Sequence, residues 1–320
     1  MIRSCYIGWA TDASVRARAS SGGVGSSLVK MLFDTHQITA SLSFVFERGA
    51  LKYRPTFVKR FSEYSITGSI YQEMDDIFAF YKAELTVEKL GLGPVAVFAL
   101  PCQVRAIRII AATRGIKVIV LGLVCSSQQS MAATDYLLRR LGLDKGAVCA
   151  LQYRGNGWPS GVQIKLKDGT EKFVSNNGSV WTHIFHSRLF VSRRCFACED
   201  TLNKHADIVL ADPWLERIMA TERVGKTLLA VQTELGERCL HQAVDGGYVE
   251  VVPLESSEFE QSQAGTVERK KGYRRHKNLT RLLVWLVNNR LYRHIAVEAL
   301  FAFRVHERIK TMIERRMTNH

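Results

Sequence analysis

Residues 94–100 (PVAVFAL) and 117–124 (KVIVLGLV) are apolar runs without polar alternation. Strands covered on both faces carry this pattern, whereas a strand with one wet face alternates. Between the runs, after Pro101 and Cys102, residues 103–114 place Val104, Ile107, Ile110 and Ala111 at helical spacing, and Gly115 ends the segment. Strand, helix, strand is a βαβ unit, so the pattern predicts an α/β fold with an open mixed, largely parallel sheet and flanking helices.

Elsewhere the pattern is shorter. Residues 153–173 (YRGNGWPSGVQIKLKDGTEKF) read as a turn and a β-hairpin with Asp168-Gly169 at its tip. Residues 207–212 (DIVLAD) read as another short strand, broken at Asp212-Pro213-Trp214. Residues 66–74 (ITGSIYQEM) form a Gly-Ser turn leading toward a helix. Near the start, Ser20, Ser21, Gly22 and Gly23 precede a helical run. Ser20 or Ser21 is expected to cap it, the glycines permit close backbone approach, and free amides there suit a phosphate. The spacing matches neither a Rossmann fingerprint nor a P-loop.

Toward the end the pattern changes. A cationic run, residues 268–277 (ERKKGYRRHK), precedes Leu279, Leu282, Leu283, Leu286, Leu291, Ile295, Leu300, Phe301, Val305, Ile309, Met312 and Ile313 among Arg and Lys. This predicts two or three amphipathic helices. Charge sharpens the division. Residues 266–320 hold 14 Lys and Arg against 4 acids, a net of +10 out of +14 for the chain. We therefore expect a body, residues 1–265, and a basic helical extension, residues 266–320. The extension has three candidate roles: packing on the body or on another subunit of a homo-oligomer, lying on an anionic membrane with Trp285 as an anchor, or, ranked last for want of any known module, binding nucleic acid.

At 47 % hydrophobic and 23 % charged the composition is that of a globular protein. The first residues lack the apolar core of a secretory signal, and the apolar run at 282–287 is too short to span a bilayer. A cytoplasmic location is expected, in which the seven cysteines serve as thiols or metal ligands rather than as a disulfide framework.

Cys102 and Cys125 each follow a parallel strand and should emerge at the carboxyl edge of the sheet, where such sheets bind ligands. Cys195 and Cys198 add a Cys-x-x-Cys pair. Spacing alone leaves four roles open to these thiols: zinc, disulfide exchange, an iron–sulfur cluster, or packing. Cys149 and Cys239 read as core residues, and Cys5 has no assigned role. Arg188, Arg193 and Arg194 near the pair are surface charges or a grip for an anion, and His183, His186 and His205 are candidate proton donors.

A colinear series runs through these motifs: Ser21-Gly22-Gly23, Gly68-Ser69-x-Tyr71, Pro101-Cys102-Gln103, Gly122-Leu123-Val124-Cys125, Tyr153-Arg154-Gly155, Cys195-x-x-Cys198, and Ala206-Asp207-Ile208 with Asp212-x-Trp214. Over residues 10–215 the chain resembles the beta-subunit family of coenzyme F420 hydrogenases and dehydrogenases. These are flavin and iron–sulfur proteins with bacterial relatives in polysaccharide gene clusters. The resemblance implies FAD at the carboxyl edge beside a [4Fe-4S] cluster. Cys102, Cys125, Cys195 and Cys198 would be the ligands, a sufficient set for a cubane. Ser20, Ser21, Gly22, Gly23, Gly68, Ser69 and Tyr71 would line the flavin site, and Asp212 would lie beside the cofactor. Tetrahedral zinc sites more often join two close Cys pairs, which this chain lacks. Two departures stand out. Only Cys5 lies ahead of the core, where relatives carry a ferredoxin-like segment, and Ile70 stands where a lysine is expected. The implied protein is a cytoplasmic or peripherally membrane-bound oxidoreductase. It would connect a separate ferredoxin-like donor or a reduced deazaflavin to a small-molecule substrate. The alternative is a non-catalytic scaffold holding a cluster or zinc.

Overall fold

In the computed structural model, which describes residues 2–74 and 76–317 and side chains as far as Phe303, the two apolar runs are neighbouring parallel strands. The strands are β1 (Ser4–Ala10), β2 (Ala40–Glu47), β3 (Lys52–Val58), β4 (Val95–Ala99), β5 (Val118–Leu123), β6 (Val148–Gln152), β7 (Gly161–Leu166), β8 (Glu171–Ser175), β9 (Ile208–Ala211), β10 (Thr227–Val231) and β11 (Val249–Leu254). The helices are α1 (Ala13–Arg18), α2 (Val24–Asp34), α3 (Ile77–Glu84), α4 (Val87–Leu90), α5 (Pro101–Ala112), α6 (Met131–Arg140), α7 (Val180–Ser187), α8 (Glu216–Thr221), α9 (Glu234–Asp245), α10 (Ser256–Arg275), α11 (Lys277–Asn288) and α12 (Arg290–Met317).

The main sheet has eight strands in the order β11-β1-β10-β9-β5-β4-β2-β3. Its centre, β2-β4-β5-β9, is parallel, and the flanking strands pair antiparallel. The expected α/β class, with a mixed sheet built on a parallel core, is what the chain adopts. Helices cover both faces, which explains the unbroken apolar runs. On one face Val95, Val97, Val104, Ile107 and Tyr81 are buried together; on the other Val24, Leu28, Ile119, Leu121 and Leu240 are.

Between β5 and β9 the chain makes a long excursion that carries a second, three-stranded sheet, β6-β7-β8. The expected hairpin is β7-β8, with Asp168 and Gly169 at its tip. Tyr136, Tyr153, Trp181, Phe190 and Val297 form a third core beneath it. Cys239 and Cys5 are buried in the main cores, but Cys149, expected in a core, is only half-buried on β6.

The excursion is tied back to the sheet at Asn203. This buried residue sits at φ 59°, and its Nδ2 donates to Ala99 O (2.7 Å) and Leu123 O (3.2 Å), strapping the carboxyl ends of β4 and β5 together. A Cβ on Gly122 would lie 2.4 Å from Ala206 Cβ and 2.6 Å from Asn203 Nδ2, so the glycine in Gly122-Leu123-Val124-Cys125 makes room for the strap. Just beyond, the buried Asp207 carboxylate accepts from Val120 N (2.7 Å) and Thr233 Oγ1 (2.8 Å).

The charge boundary at residue 265 falls within α10, which runs without a break from Ser256 to Arg275. Tyr273 on α10 packs edge-on against Phe196 at 4.9 Å. Glu298 on α12 accepts from Tyr136 and Arg140, both at 2.8 Å, and Val297 beside it is buried. The extension thus packs on the body, while Leu279, Leu282, Trp285, Leu291 and Ile295 stay exposed. Val305, Ile309, Met312 and Ile313 lie outside the described side chains. No described helix is long and apolar enough to cross a membrane.

Two glycines should respond oppositely to alanine. Gly122→Ala forces the Asn203 strap aside and should cost about 1–3 kcal/mol, as overpacking does. Gly272→Ala, inside α10 with open space around its Cβ, should stabilise by roughly 0.5–1 kcal/mol. Thermal unfolding should move the two midpoints in opposite directions.

Candidate functional site

The carboxyl ends of β4, β5 and β9 open onto a cavity of about 660 Å³. This lies within the range of small-molecule sites. Ser20, Ser21, Gly23, Gly68, Ser69, Tyr71, Cys125 and Asp212 line it, together with Ile70, Gln128, His186 and residues of α10 up to Arg269. The structure therefore brings together residues as far apart in sequence as Ser20 and Arg269.

Asp212 follows the last residue of β9, and its carboxylate is the centre of the wall. Arg154 donates to it twice, at 2.5 and 2.9 Å, Ser21 Oγ at 2.7 Å, and Trp158 Nε1 at 2.9 Å. The Asp212 carbonyl accepts from Gln263 of α10 at 2.8 Å. Burial would push the Asp212 carboxyl up, but the Arg154 charge and these hydrogen bonds hold it below the ordinary carboxylate range. Arg154 is 2 % exposed and also donates to Ser20 O at 2.6 Å. Burial alone would favour its neutral form; the Asp212 charge overrides that and keeps the guanidinium protonated.

Each of the other expected residues has a definite place. Neither Ser20 nor Ser21 caps α2: Gly23, at φ 78°, holds the N-cap position with no side-chain cap. The serines look outward instead, Ser21 to Asp212 and Ser20 to Ser69, whose Oγ atoms are 3.0 Å apart. Gly22 lies behind the cavity wall. A Cβ there would approach Gly8 O to 2.5 Å and Thr227 N to 2.7 Å, so its part is to let the turn lie against β1 and β10. Gly68, at φ 66°, passes so close to Arg154 O that a Cβ would meet it at 2.3 Å. Tyr71 packs among Tyr153, Trp181 and Phe185, with ring centroids 5.0–6.3 Å away. Arg154 and Trp158 were given no site role on sequence; an arginine in a short turn after an apolar strand was the available signal.

Cys125 leaves β5 at the cavity and Cys102 lies in the first turn of α5. Cys195 and Cys198 approach from the returning excursion, in and just after a short 3-10 turn. The Cys125 N–H donates to Thr201 O (3.1 Å), and Cys195 Sγ accepts from Gln128 N (3.3 Å). The same Gln128 donates through its side chain to Ile70 O and Gln72 O, tying the thiols to the Gly68–Tyr71 loop. Burial pushes the Cys125 thiol up to about 12 and raises Cys195, while Lys270 opposes both rises. The thiol of Cys102 is also raised, first by the protein packed around it and then by Cys198 and Cys195. Cys102, Cys125 and Cys195 are thus each raised in part by other thiols of the set. Among the described residues no three His, Cys, Asp or Glu side chains converge closely enough to grip a metal ion. What the thiols share is Lys270, whose Nζ lies 3.0 Å from Cys198 Sγ.

The flanking residues divide. His186 lines the cavity, His183 packs against Phe301 at 5.6 Å, and His205 offers its carbonyl to Arg108. Arg193 and Arg194 are exposed, and Arg188 lies 4.7 Å over the Tyr273 ring.

Two family models match the chain: coenzyme F420 hydrogenase/dehydrogenase beta subunit N-term over residues 5–76, and its C terminus over residues 92–257. No curated protein matches it. Among solved structures, it is similar in fold to a chain of the F420-reducing [NiFe] hydrogenase complex from Methanosarcina barkeri. That match has a TM-score of 0.65 and 16 % identity, and it covers 85 % of this chain and 90 % of that one. The matched regions contain all four edge cysteines, Asp212 and the cavity lining outside α3 and α10, and the chain belongs to the coenzyme F420 hydrogenase/dehydrogenase beta-subunit family.

Proposed function

We propose that this chain is an FAD- and [4Fe-4S]-dependent oxidoreductase that carries electrons between a separate one-electron donor or deazaflavin and a small substrate. The observation that supports this most directly is adjacency. Cys125 lines the 660 Å³ cavity, and Cys195 accepts a hydrogen bond from Gln128, which lines it too. The cavity thus has one thiol in its wall and a second hydrogen-bonded to that wall. Four sulfur donors with no carboxylate among them, and a cation alongside, suit an iron–sulfur cluster. When bound, the flavin would exchange hydride and the cluster single electrons.

The chain's own residues have distinct tasks in this reading. Ser20, Ser21, Ser69 and the Gly23 turn offer hydroxyls and a helix start to the cofactor. Arg154 and Asp212 fix those segments relative to one another. Gln128 couples the cluster side to the flavin side, and His186, on the cavity wall, is the candidate proton donor. Ile70, at the lysine position of relatives, leaves that part of the wall apolar. We assign the reaction to polysaccharide biosynthesis and the exposed apolar face of α11 to contact with a partner or an anionic membrane surface. The first assignment rests on the sequence resemblance; the second rests on the pairing of exposed Leu279, Leu282 and Trp285 with a basic extension.

Anaerobic purification followed by iron, sulfide and flavin analysis is the primary test. About four irons per chain and a flavin are expected; a colourless protein, or one carrying only zinc, overturns the reading. Serine at Cys102, Cys125, Cys195 or Cys198 should each abolish iron binding, whereas serine at Cys149 should not. Asp212→Asn should lower flavin occupancy and cost about 3–5 kcal/mol, because it strands a buried guanidinium. The wild-type carboxyl lies below its ordinary range, so its contribution is complete at neutral pH and lost as pH falls through the folded-state pKa. The variant's acid-unfolding profile should accordingly be flatter.

A further inference from the structure

Lys270 is 4 % exposed, on the face of α10 that closes the thiol site. Its Nζ donates to Cys198 Sγ at 3.0 Å and to Asp200 O at 2.9 Å. No carboxylate among the described residues ion-pairs with it. The Asp200 carboxylate is turned elsewhere, accepting from Asn203 N at 2.9 Å and Lys204 N at 3.2 Å. A buried charge without a counter-charge is costly, and one carbonyl and one thiol compensate it poorly. The group in contact with the ammonium that can carry negative charge is the Cys198 sulfur.

We propose that Lys270 is the built-in counter-cation of an iron–sulfur cluster held by the four cysteines, and that it sets the cluster's reduction potential. The inference rests on the cofactor reading above and adds a role for a residue of the basic extension. A cubane with four thiolates carries net negative charge, which grows when it accepts an electron. A fixed ammonium donating to one ligand sulfur therefore favours the reduced form and raises the potential. Lys270 is a positioning residue in this scheme: it acts through Cys198 and exchanges no electron itself.

The test compares full-length wild type with Lys270→Arg, Lys270→Gln and Lys270→Met, all purified anaerobically. Iron and sulfide content, thermal midpoint and an EPR-monitored redox titration are read for each. Wild type and Lys270→Arg should titrate at similar potentials. Lys270→Gln, which keeps a donor without the charge, should shift to more negative potential by at least a factor of ten in the reduction equilibrium, about 59 mV for one electron. Lys270→Met, lacking both, should shift at least as far if it folds. A Gln variant that loads its cluster and titrates with wild type overturns the inference and leaves the cofactor reading intact. An Arg variant that shifts as far as Gln also overturns it, by showing that shape rather than charge is sensed. Wild type without iron overturns both.

Discussion

The buried ion pair of Arg154 and Asp212 holds the cavity in shape. Asp212 directly follows β9 of the main sheet, Arg154 belongs to the excursion that carries the second sheet, and Ser20 and Ser21 to the turn before α2. None of these elements is joined to another by continuous regular structure. A bidentate, largely desolvated pair is directional, so it specifies their relative placement as a hydrophobic contact would not. Its stability value is a separate matter, since the desolvation of both charges offsets much of their attraction. The pair therefore acts as a geometric constraint first.

A second constraint operates at the thiol end. Asn203 binds the carbonyls at the ends of β4 and β5, and Cys102 and Cys125 lie just beyond those strand ends. The strap fixes the spacing of the two strand-end cysteines and at the same time anchors the segment that delivers Cys195 and Cys198. Gln128 then carries that arrangement across to the loop bearing Gly68 and Tyr71. The two ends of the site are thus coupled through backbone groups, which tolerate little displacement.

The parallel core was legible because its strands are buried on both faces and bounded by Pro, Gly and Cys. The placement of Cys102 and Cys125 just past the ends of β4 and β5 followed from the same pattern, since parallel strands place their successors at one edge. The helix start after Gly23 was legible, but the duties of Ser20 and Ser21 were not: a serine before a helix looks the same whether it caps or faces a cavity. The roles of Arg154, named only as part of a motif, and of Trp158 were not legible because their partner lies more than 50 positions away, and no local periodicity encodes such a contact. Lys270 was hidden for a related reason. It sits in a cationic run that composition alone reads as solvated, although its neighbours Lys271 and Arg274 are exposed and it is not. Charge statistics average over a helix, whereas burial is decided one face at a time.

The position of α10 governs the order in which the site can be assembled. One wall of the cavity and the lysine beside Cys198 come from residues 256–275, which follow every strand of both sheets. Domains fold as the chain emerges, amino end first. The sheet, the strap and all four edge cysteines are therefore available while the cavity still lacks its final wall. A nascent body thus leaves this cavity open until α10 docks and supplies the remaining wall.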